Sequence, residues 1–578
     1  MRGTHENSLQ AALKACRSSF ISVGFFSLFV NALMLVPTFY MLQVYGRVVT
    51  GGNLTTLMML TIIMAILMVT MGALDFIRSR IMVRISTKLD VLLSRDVYKA
   101  SFRRALESGG MDASAQSLND LTNLRQFLTG NGLFAFFDAP WLPIYIAVMF
   151  MFHPWYGWVA IASALVLLLL AYVNERVTSK ALGEANRQNV GATLYTTKNL
   201  RNAEVIESMG MLGTLMERWT RRQRVVLQLQ SEASDKGGAI SAISKTFRML
   251  IQSLILGLGA YLAVDHQINP GLVIAGSVLL GRALAPIDLI IGSWKGFISA
   301  RTQYDRLNEV LAEQQAEPAR MSLPLPQGDV LVENLVVGAP GNKNPIIRGV
   351  SFAVPAGACV GIIGPSASGK STLARALMGV WQPQHGVVRL DGADIGNWNK
   401  EELGPHLGYL PQDIELFEGS ISENIGRFAE INAEAVVKAA KIAGVHEMIL
   451  QLPDGYDTVI GSEGVNLSGG QRQRIGLARA LYGSPKLILL DEPNSNLDEV
   501  GERALAQAIR VMKHAGSTIF VITHRTSILA LLDRLLVMSN GGIGMYGPRE
   551  QVMEELNKQQ LAAQQQHAQS ATTGASIA

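Results

Sequence analysis

The first half of the chain alternates long apolar runs with long polar stretches. Apolar runs at 20–45, 54–76, 134–152, 155–173, 247–264 and 272–294 reach or approach the ~20 residues that a helix needs to cross a bilayer. Short connections at 47–53, 153–154 and 265–270 join them in pairs, and the polar stretches 77–133 and 174–246 separate the pairs. Those polar stretches keep a helical period and few turn signals, which predicts helices continuing beyond the bilayer. In the second half the pattern changes. Short strand-like runs at 330–332, 350–354, 360–363, 387–390, 487–490 and 518–522 alternate with helical patterns, the signature of an α/β domain. Between the halves, 301–327 passes from charged helix through Ala/Glu/Gln to Leu323-Pro324-Leu325-Pro326, and reads as a linker.

The predicted architecture is therefore an α-helical membrane domain of six transmembrane helices fused to an α/β domain. Its expected bounds are an N-terminal cytoplasmic segment 1–19, a membrane domain 20–300, a linker 301–328, an α/β domain 329–556 and a disordered Gln/Ala/Ser/Thr-rich tail 557–578. Six such runs with one consistent charge bias argue against the helices of a soluble bundle. The long polar stretches hold Arg78, Arg80, Arg84, Lys88, Arg95, Lys99, Arg103 and Arg104, whereas the short connections hold little beyond Arg47. By the positive-inside rule the polar stretches and the N-terminus are cytoplasmic. An even number of spans then leaves the second half in the cytoplasm.

Composition narrows the class. A length of 578 residues exceeds what one core usually accommodates. A net charge of +4 gives no support to nucleic-acid binding, and a mean hydropathy of +0.23 points to a membrane. Cys16 and Cys359 are far apart and form neither a disulfide framework nor a metal cluster. The first apolar stretch is long and lacks a small-residue cleavage site, so it does not read as a secretory signal. Polar residues within the spans, Asn31 near Pro37, Asp138, and Arg282 with Pro286 and Asp288, are functional candidates, because a charge at the bilayer centre costs at least ~2.5 kcal/mol. A substrate path and a packing contact between helices are equally open readings.

Chemistry concentrates at 360–372. An apolar strand turns into a helix through Gly364-Pro365-Ser366-Ala367-Ser368-Gly369-Lys370-Ser371-Thr372, the P-loop spacing in its required strand–turn–helix setting. Glycines let backbone N–H groups converge on a phosphate, and the helix that follows adds its positive end. Lys370 is expected to reach the outer phosphates and the Ser371 hydroxyl to ligate Mg²⁺. A second apolar strand, 487–490, delivers Asp491 to its end, where a carboxylate can hold the Mg²⁺ shell. The next residue, Glu492, is the natural general base for an attacking water. Between these motifs, Leu467-Ser468-Gly469-Gly470-Gln471 opens an Arg-rich helix, a Ser cap and two glycines forming a second anion site.

With these motifs in this order, residues 329–555 resemble the nucleotide-binding domain of the ATP-binding cassette (ABC) superfamily throughout. The resemblance implies ATP and Mg²⁺ as cofactors, ATP hydrolysis coupled to transport, and a homodimer in which Ser468–Gln471 closes on ATP held by the opposite subunit. It further implies that Gln412 senses Mg²⁺, that His524 acts as a switch on the γ-phosphate, that Asp498 makes a dimer contact and that Glu463 meets the neighbouring coupling helix. Where many such domains stack adenine on an aromatic, this chain has Ala339-Pro340-Gly341, so a modest ATP affinity and a base contact made elsewhere are both open readings. Six spans preceding one nucleotide domain match an ABC exporter. The stretches 137–145, 153–155, 201–211, 281–286 and 293–295 resemble the type I protein-secretion ABC transporters, closest to the branch exporting proteases, lipases and haem-binding proteins. That resemblance implies a bacterial inner-membrane location, a periplasmic adaptor, an outer-membrane duct and a secreted protein with an uncleaved C-terminal signal. Because the first span begins near Phe20, no N-terminal peptidase domain is expected. A lipid or small-molecule exporter, and an ATP-gated channel or scaffold that does not pump, are the alternatives.

Overall fold

The computed structural model describes residues 8–109, 114–314, 322–342, 344–461 and 467–559. The chain divides into two compact units, Met1–Ala105 with Asp112–Glu317, and Leu106–Met111 with Pro318–Ala578. Glu463 and positions 560–578 of the expected tail lie outside the described residues, while 557–559 still belong to a helix over 549–559.

The first unit is helical, and six of its described helices are long and apolar enough to cross a membrane. A bilayer offers no partner for backbone polar groups, so each span satisfies its own N–H and C=O groups within a helix. The first span runs as Arg17–Leu33, breaks, and resumes as Val36–Gln43 with Pro37 in its first turn, where a missing N–H costs least. The second helix, Leu54–Glu107, has 54 residues, about 80 Å at 1.5 Å per residue against a hydrocarbon core of about 30 Å. Pro154–Arg201, Leu212–Val264 and Pro270–Gln314 likewise outrun the bilayer, as the periodicity of the polar stretches predicts. The polar stretches are nevertheless not single rods. The first is interrupted before Gln116–Thr129, and the second by the short helix Ala203–Ser208. The segment 301–314, expected as linker, is a continuation of the last helix, because Leu307, Val310 and Leu311 bury against Leu9, Leu89 and Leu121. Asp120, almost fully buried, receives both Nε and Nη2 of Arg306 at 2.8 and 2.7 Å, fixing that extension to Gln116–Thr129.

Close packing of three spans turns on Tyr156, which is fully buried. A Cβ on Gly259 would stand 2.3 Å from its hydroxyl, and one on Gly276 would stand 2.6 Å from its ring. Only glycines at these two positions admit the ring between neighbouring helices.

The polar residues of the spans find partners inside this unit. Asn31 Nδ2 donates to Asp138 Oδ1 at 2.7 Å, and Arg78 Nη1 donates to the same oxygen at 2.9 Å. The Tyr145 hydroxyl donates to the Asn31 backbone carbonyl at 3.0 Å, and the Arg78 guanidinium lies 4.2 Å from the centre of the Phe134 ring. Arg78, counted in the sequence only toward charge bias, is thus the buried cation that neutralises Asp138. Asp288 pairs with Arg248 at 2.7 Å and accepts from Ser244 at 2.7 Å, rather than meeting Arg282, which is exposed.

The second unit is built on two large sheets. The six-stranded sheet runs β12-β11-β3-β10-β9-β6, from β3 (Cys359–Ile363), β6 (Leu407–Leu410), β9 (Leu487–Asp491), β10 (Thr518–Ile522), β11 (Arg534–Ser539) and β12 (Gly542–Pro548). All neighbours are parallel except β11 with β12. A four-stranded antiparallel sheet is made by β1 (Val330–Gly338), β2 (Pro345–Val354), β4 (His385–Leu390) and β5 (Ala393–Asp394), and β7 (Gly419–Ser420) pairs antiparallel with β8 (Val459–Ile460). Period-2 alternation sorts the apolar side chains. Leu487, Leu489, Phe520 and Ile522 enter one core with the four-stranded sheet. Ile488, Leu490, Ile519 and Val521 enter another with the helices on the opposite face. Strands buried on both faces read as unbroken apolar runs, as these do. The approach to this unit is anchored by Asp391, whose carboxylate accepts the N–H groups of Gln327, Gly328 and Asp329 at 2.7, 3.2 and 2.9 Å.

Replacing Asp138 by Leu removes the more buried of two countercharges of the buried Arg78 guanidinium and leaves it the half-exposed Asp75, 2.8 Å away. A wholly uncompensated buried charge costs about 3–5 kcal/mol, and with Asp75 remaining a smaller loss is expected as a lowered thermal midpoint of the detergent-solubilised protein. Adding Arg78→Met to Asp138→Leu is expected to recover most of it. Equal stability of wild type and Asp138→Leu would show the pair to be unimportant.

Candidate functional site

Parallel order places four strand ends side by side. β3 leads into the P-loop, β6 into Gln412, β9 into Asp491-Glu492 and β10 into His524. Ligands of open α/β sheets bind at this carboxyl edge.

The P-loop owes its shape to a few backbone positions. Gly364 has φ +150°, and a Cβ there would stand 2.3 Å from the Met538 carbonyl oxygen. Gly369 has φ +100° and precedes the helix Lys370–Leu377. Ala367 holds a left-handed φ of +63° without being glycine, a local strain of the kind found at ligand sites. Lys370 is buried, and its Nζ donates to the carbonyls of Gly364 and Pro365 at 2.8 and 2.9 Å. The ammonium is thereby held across the mouth of its own loop. The Ser368 hydroxyl is buried and has no partner. Ser371 and Thr372 follow in the first turn, Thr372 buried.

Asp491 ends β9 with 3% exposure, and its Oδ1 accepts no hydrogen bond. Burial pushes its carboxyl above the ordinary carboxylate value. A hydrogen bond with Ser371 opposes this, Glu492 adds to it, and Arg375 and Lys370 oppose it. Glu492 follows with φ +48°, its N–H held by the Ile522 carbonyl at 3.0 Å. That left-handed turn throws its side chain out of strand register, where Gln412 Nε2 donates to Glu492 Oε2 at 3.0 Å. His524 is exposed directly after β10, between the buried Thr523 and Arg525. Thr523 Oγ1 donates to Asn494 Oδ1 at 3.2 Å and accepts the Arg525 N–H at 3.1 Å.

The Ser468–Gln471 motif forms a capping box on the helix Gly469–Leu481. The Gln471 N–H donates to Ser468 Oγ at 3.3 Å, and the Ser468 N–H donates to Gln471 Oε1 at 2.8 Å. A Cβ on Gly470 would stand 2.8 Å from the Asn496 carbonyl oxygen. Asp498 caps the helix Glu499–His514, accepting the Gly501 N–H at 2.8 Å.

Two contributors escape a reading of motifs. Gln473 is buried, donating to the Pro493 carbonyl at 2.6 Å and accepting the Asn496 N–H at 2.9 Å. It ties the helix of the Ser468 motif to the segment after Glu492, and its only sequence mark is an amide inside an Arg-rich helix. Arg427 is half-buried in a left-handed turn of φ +59° and donates to the carbonyls of Gly404, Arg479, Ala480 and Tyr482. Burial lowers its guanidinium to about 10. It satisfies the carbonyls at the end of the same helix, a role no local pattern announces.

The donor set suits Mg²⁺. Asp491 offers a buried carboxylate oxygen without a partner, Ser371 a hydroxyl bonded to that carboxylate, and Gln412 its amide carbonyl. Among the described residues no cluster of three His, Cys, Asp or Glu could hold a metal, and a magnesium ion that shares its shell with phosphates and waters needs none.

The raised carboxyl of Asp491 fixes a sign. An acid whose folded pKa lies above its unfolded value stabilises the fold at low pH and loses that contribution as pH rises through the folded pKa. As pH rises above the ordinary carboxylate range the nucleotide-free fold therefore loses that contribution. Asp491→Asn is expected to raise the thermal midpoint of the nucleotide-free protein at pH 7.5, with the gap closing near pH 4, and to abolish the further rise produced by Mg²⁺ with ATP. A variant less stable than wild type at pH 7.5 would contradict this.

Residues 347–495 match the family described as ABC transporter, and residues 20–285 the ABC transporter transmembrane region. The type I secretion system ATP-binding protein PrsD of Rhizobium meliloti (strain 1021) is 44% identical over 556 residues, 96% of each chain. The leukotoxin translocation ATP-binding protein LktB of Mannheimia glucosida is 28% identical over 550 residues, 94% of this chain and 77% of that one. A solved bacterial Atm1-family ABC exporter with ATP bound shares the fold at a TM-score of 0.79 and 22% identity, covering 95% of this chain and 99% of that one. The chain belongs to the ABC transporter family, as the ATP-binding, membrane-spanning component of a type I secretion system.

Proposed function

We propose that two copies of this chain sandwich two ATP molecules and move a protein with an uncleaved C-terminal signal from the cytoplasm to the exterior. The observation that carries the energetic half is the row of strand ends holding Lys370, Asp491, Glu492 and His524 at one sheet edge. Support for protein cargo comes from the 44% identity, over nearly the full length of both chains, to a type I secretion ATP-binding protein.

The protein couples ATP hydrolysis to transport, and its residues divide the work. Backbone N–H groups of Gly364 and of Ser366 to Thr372 and the ammonium of Lys370 hold the phosphates. Ser371, Asp491 and Gln412 would hold Mg²⁺, which would neutralise charge on the phosphates. Glu492 takes the proton of the attacking water, and its bond from Gln412 keeps the carboxylate turned away from its own strand. His524, exposed after β10, contacts the γ-phosphate. Ser468–Gln471 of the partner subunit offers the capped helix N-terminus to the same phosphate, and Asp498 lies at the dimer contact. Closing the sandwich turns the membrane halves from inward-open towards outward-open, and hydrolysis resets them. The location is the bacterial inner membrane, with a periplasmic adaptor and an outer-membrane duct completing the route.

Glu492→Gln is expected to bind ATP as the wild type does and to lose turnover by at least the ~10² that a general base supplies. Unchanged phosphate release would reject the base assignment. Cargo is tested by supplying adaptor and duct with a reporter fused to candidate C-terminal segments. Export that requires both the segment and an intact Glu492 supports protein secretion, and ATPase stimulation by lipid alone favours the lipid-exporter reading.

A further inference from the structure

At the start of the first span the membrane unit carries an open surface groove of about 580 Å³. Arg17, Phe20, Ile21 and Gly24 of the helix Arg17–Leu33 line it at spacings of three and four residues, the pattern of one helical face. Lys14 stands just before them, and Phe137 of another span borders the groove. A Cβ on Gly24 would stand 4.0 Å from the Phe137 ring, so a bare backbone keeps the groove open at that point. Lys14 and Arg17 are exposed, and none of the described residues that line the groove is acidic. A second row of cations stands beside it. Arg80, Arg84 and Lys88 are exposed at intervals of four residues on the helix Leu54–Glu107, and Lys88 Nζ donates to the Ala15 carbonyl at 3.0 Å. No Asp or Glu occurs at 8–30 or at 76–89.

The order of these groups matters. The charged end precedes the apolar run 20–45, and the positive-inside rule puts that end at the cytoplasmic face. From Arg17 to Gly24 the helix rises about 10 Å toward the bilayer interior. Cations at the water line followed by apolar walls match the build of a phospholipid, charged head and then chain. A soluble anion would use the cations and leave Phe20, Ile21 and Phe137 bare. A neutral lipid or an apolar peptide would leave Lys14 and Arg17 without a countercharge. We propose that the groove binds one anionic phospholipid of the cytoplasmic leaflet, its phosphate between Lys14 and Arg17 and one acyl chain along Ile21, Gly24 and Phe137. Arg80, Arg84 and Lys88 draw such lipids toward the site, since each cation near an anionic surface adds to the attraction. The lipid is a resident of the membrane unit and not cargo, so the inference does not depend on what is exported.

The test uses the full-length transporter in phosphatidylcholine vesicles carrying a trace of phosphatidylglycerol with a photoreactive acyl chain. Labelling is expected at residues of the groove, and unlabelled phosphatidylglycerol is expected to compete where added phosphatidylcholine does not. Lys14→Gln and Arg17→Gln are each expected to weaken that competitor about fivefold, the effect of one charge at a membrane surface. Arg17→Lys keeps the charge and is expected to compete as the wild type does. Gly24→Leu puts a side chain where the acyl chain lies and is expected to lower labelling, with wild-type basal ATPase as the check on folding. Equal competition by phosphatidylcholine, or competition by soluble glycerol phosphate, would overturn the proposal. So would labelling that is indifferent to both Arg17→Gln and Gly24→Leu. Labelling lost in Glu492→Gln, which blocks turnover, would make the lipid a transported molecule and overturn its residence in the groove.

Discussion

Parallel hydrogen bonding between β3, β10, β9 and β6 is the constraint on which the nucleotide unit depends. The pairs Ile522 with Ile362, Ile522 with Asp491 and Leu410 with Leu490 lock the four strand ends to within about one residue of one another. A slip of one residue in β9 would turn Asp491 to the opposite face of the sheet and interchange the two apolar cores. Packing on both faces thus sets the position of a carboxylate. The burial that secures the register also makes the charge of Asp491 costly, so the cohesion of the unit and its demand for a cation have one origin.

The membrane unit obeys a different solvent. With no water in the hydrocarbon region, helices form wherever the run is apolar, and polar side chains must answer one another. The set of Asn31, Arg78, Asp138 and Tyr145 does this across three spans, and Asp288 does it with Arg248 and Ser244. These paired groups explain packing. Asn174 Oδ1 and Trp294 Nε1, by contrast, are buried without partners.

Two of the non-glycine residues with left-handed φ stand where chemistry is expected. Ala367 in the P-loop and Glu492 after β9 both hold left-handed φ without being glycine. At Glu492 the reason is geometric. An extended residue would carry its side chain on along the alternation of β9, whereas the turn brings the carboxylate to Gln412 at the end of the neighbouring strand β6.

Much of this was legible beforehand because it is local. Runs of about twenty apolar residues compel helices in lipid, the spacing from Gly364 to Ser371 compels a phosphate-sized loop, and unbroken apolar strands imply burial on both faces. These depend on neighbours in sequence, so 578 letters suffice to place six spans, a P-loop and its acidic partners. Pairings across long stretches of chain were not legible. Nothing near Arg78 names Asp138, sixty positions on, nothing near Arg427 names the carbonyls it caps, and Arg282 stood nearer to Asp288 in sequence than its true partner Arg248. The extension of the last helix to Gln314 was hidden for the same reason, since only packing against Leu9 and Leu89 makes its charged sequence hold together. Sequence alone determined the elements and the phosphate chemistry, because period and spacing act along the chain. Tertiary structure decided which buried polar groups are matched and which stay open, because a hydrogen bond depends on distance in space and the order of residues does not contain it.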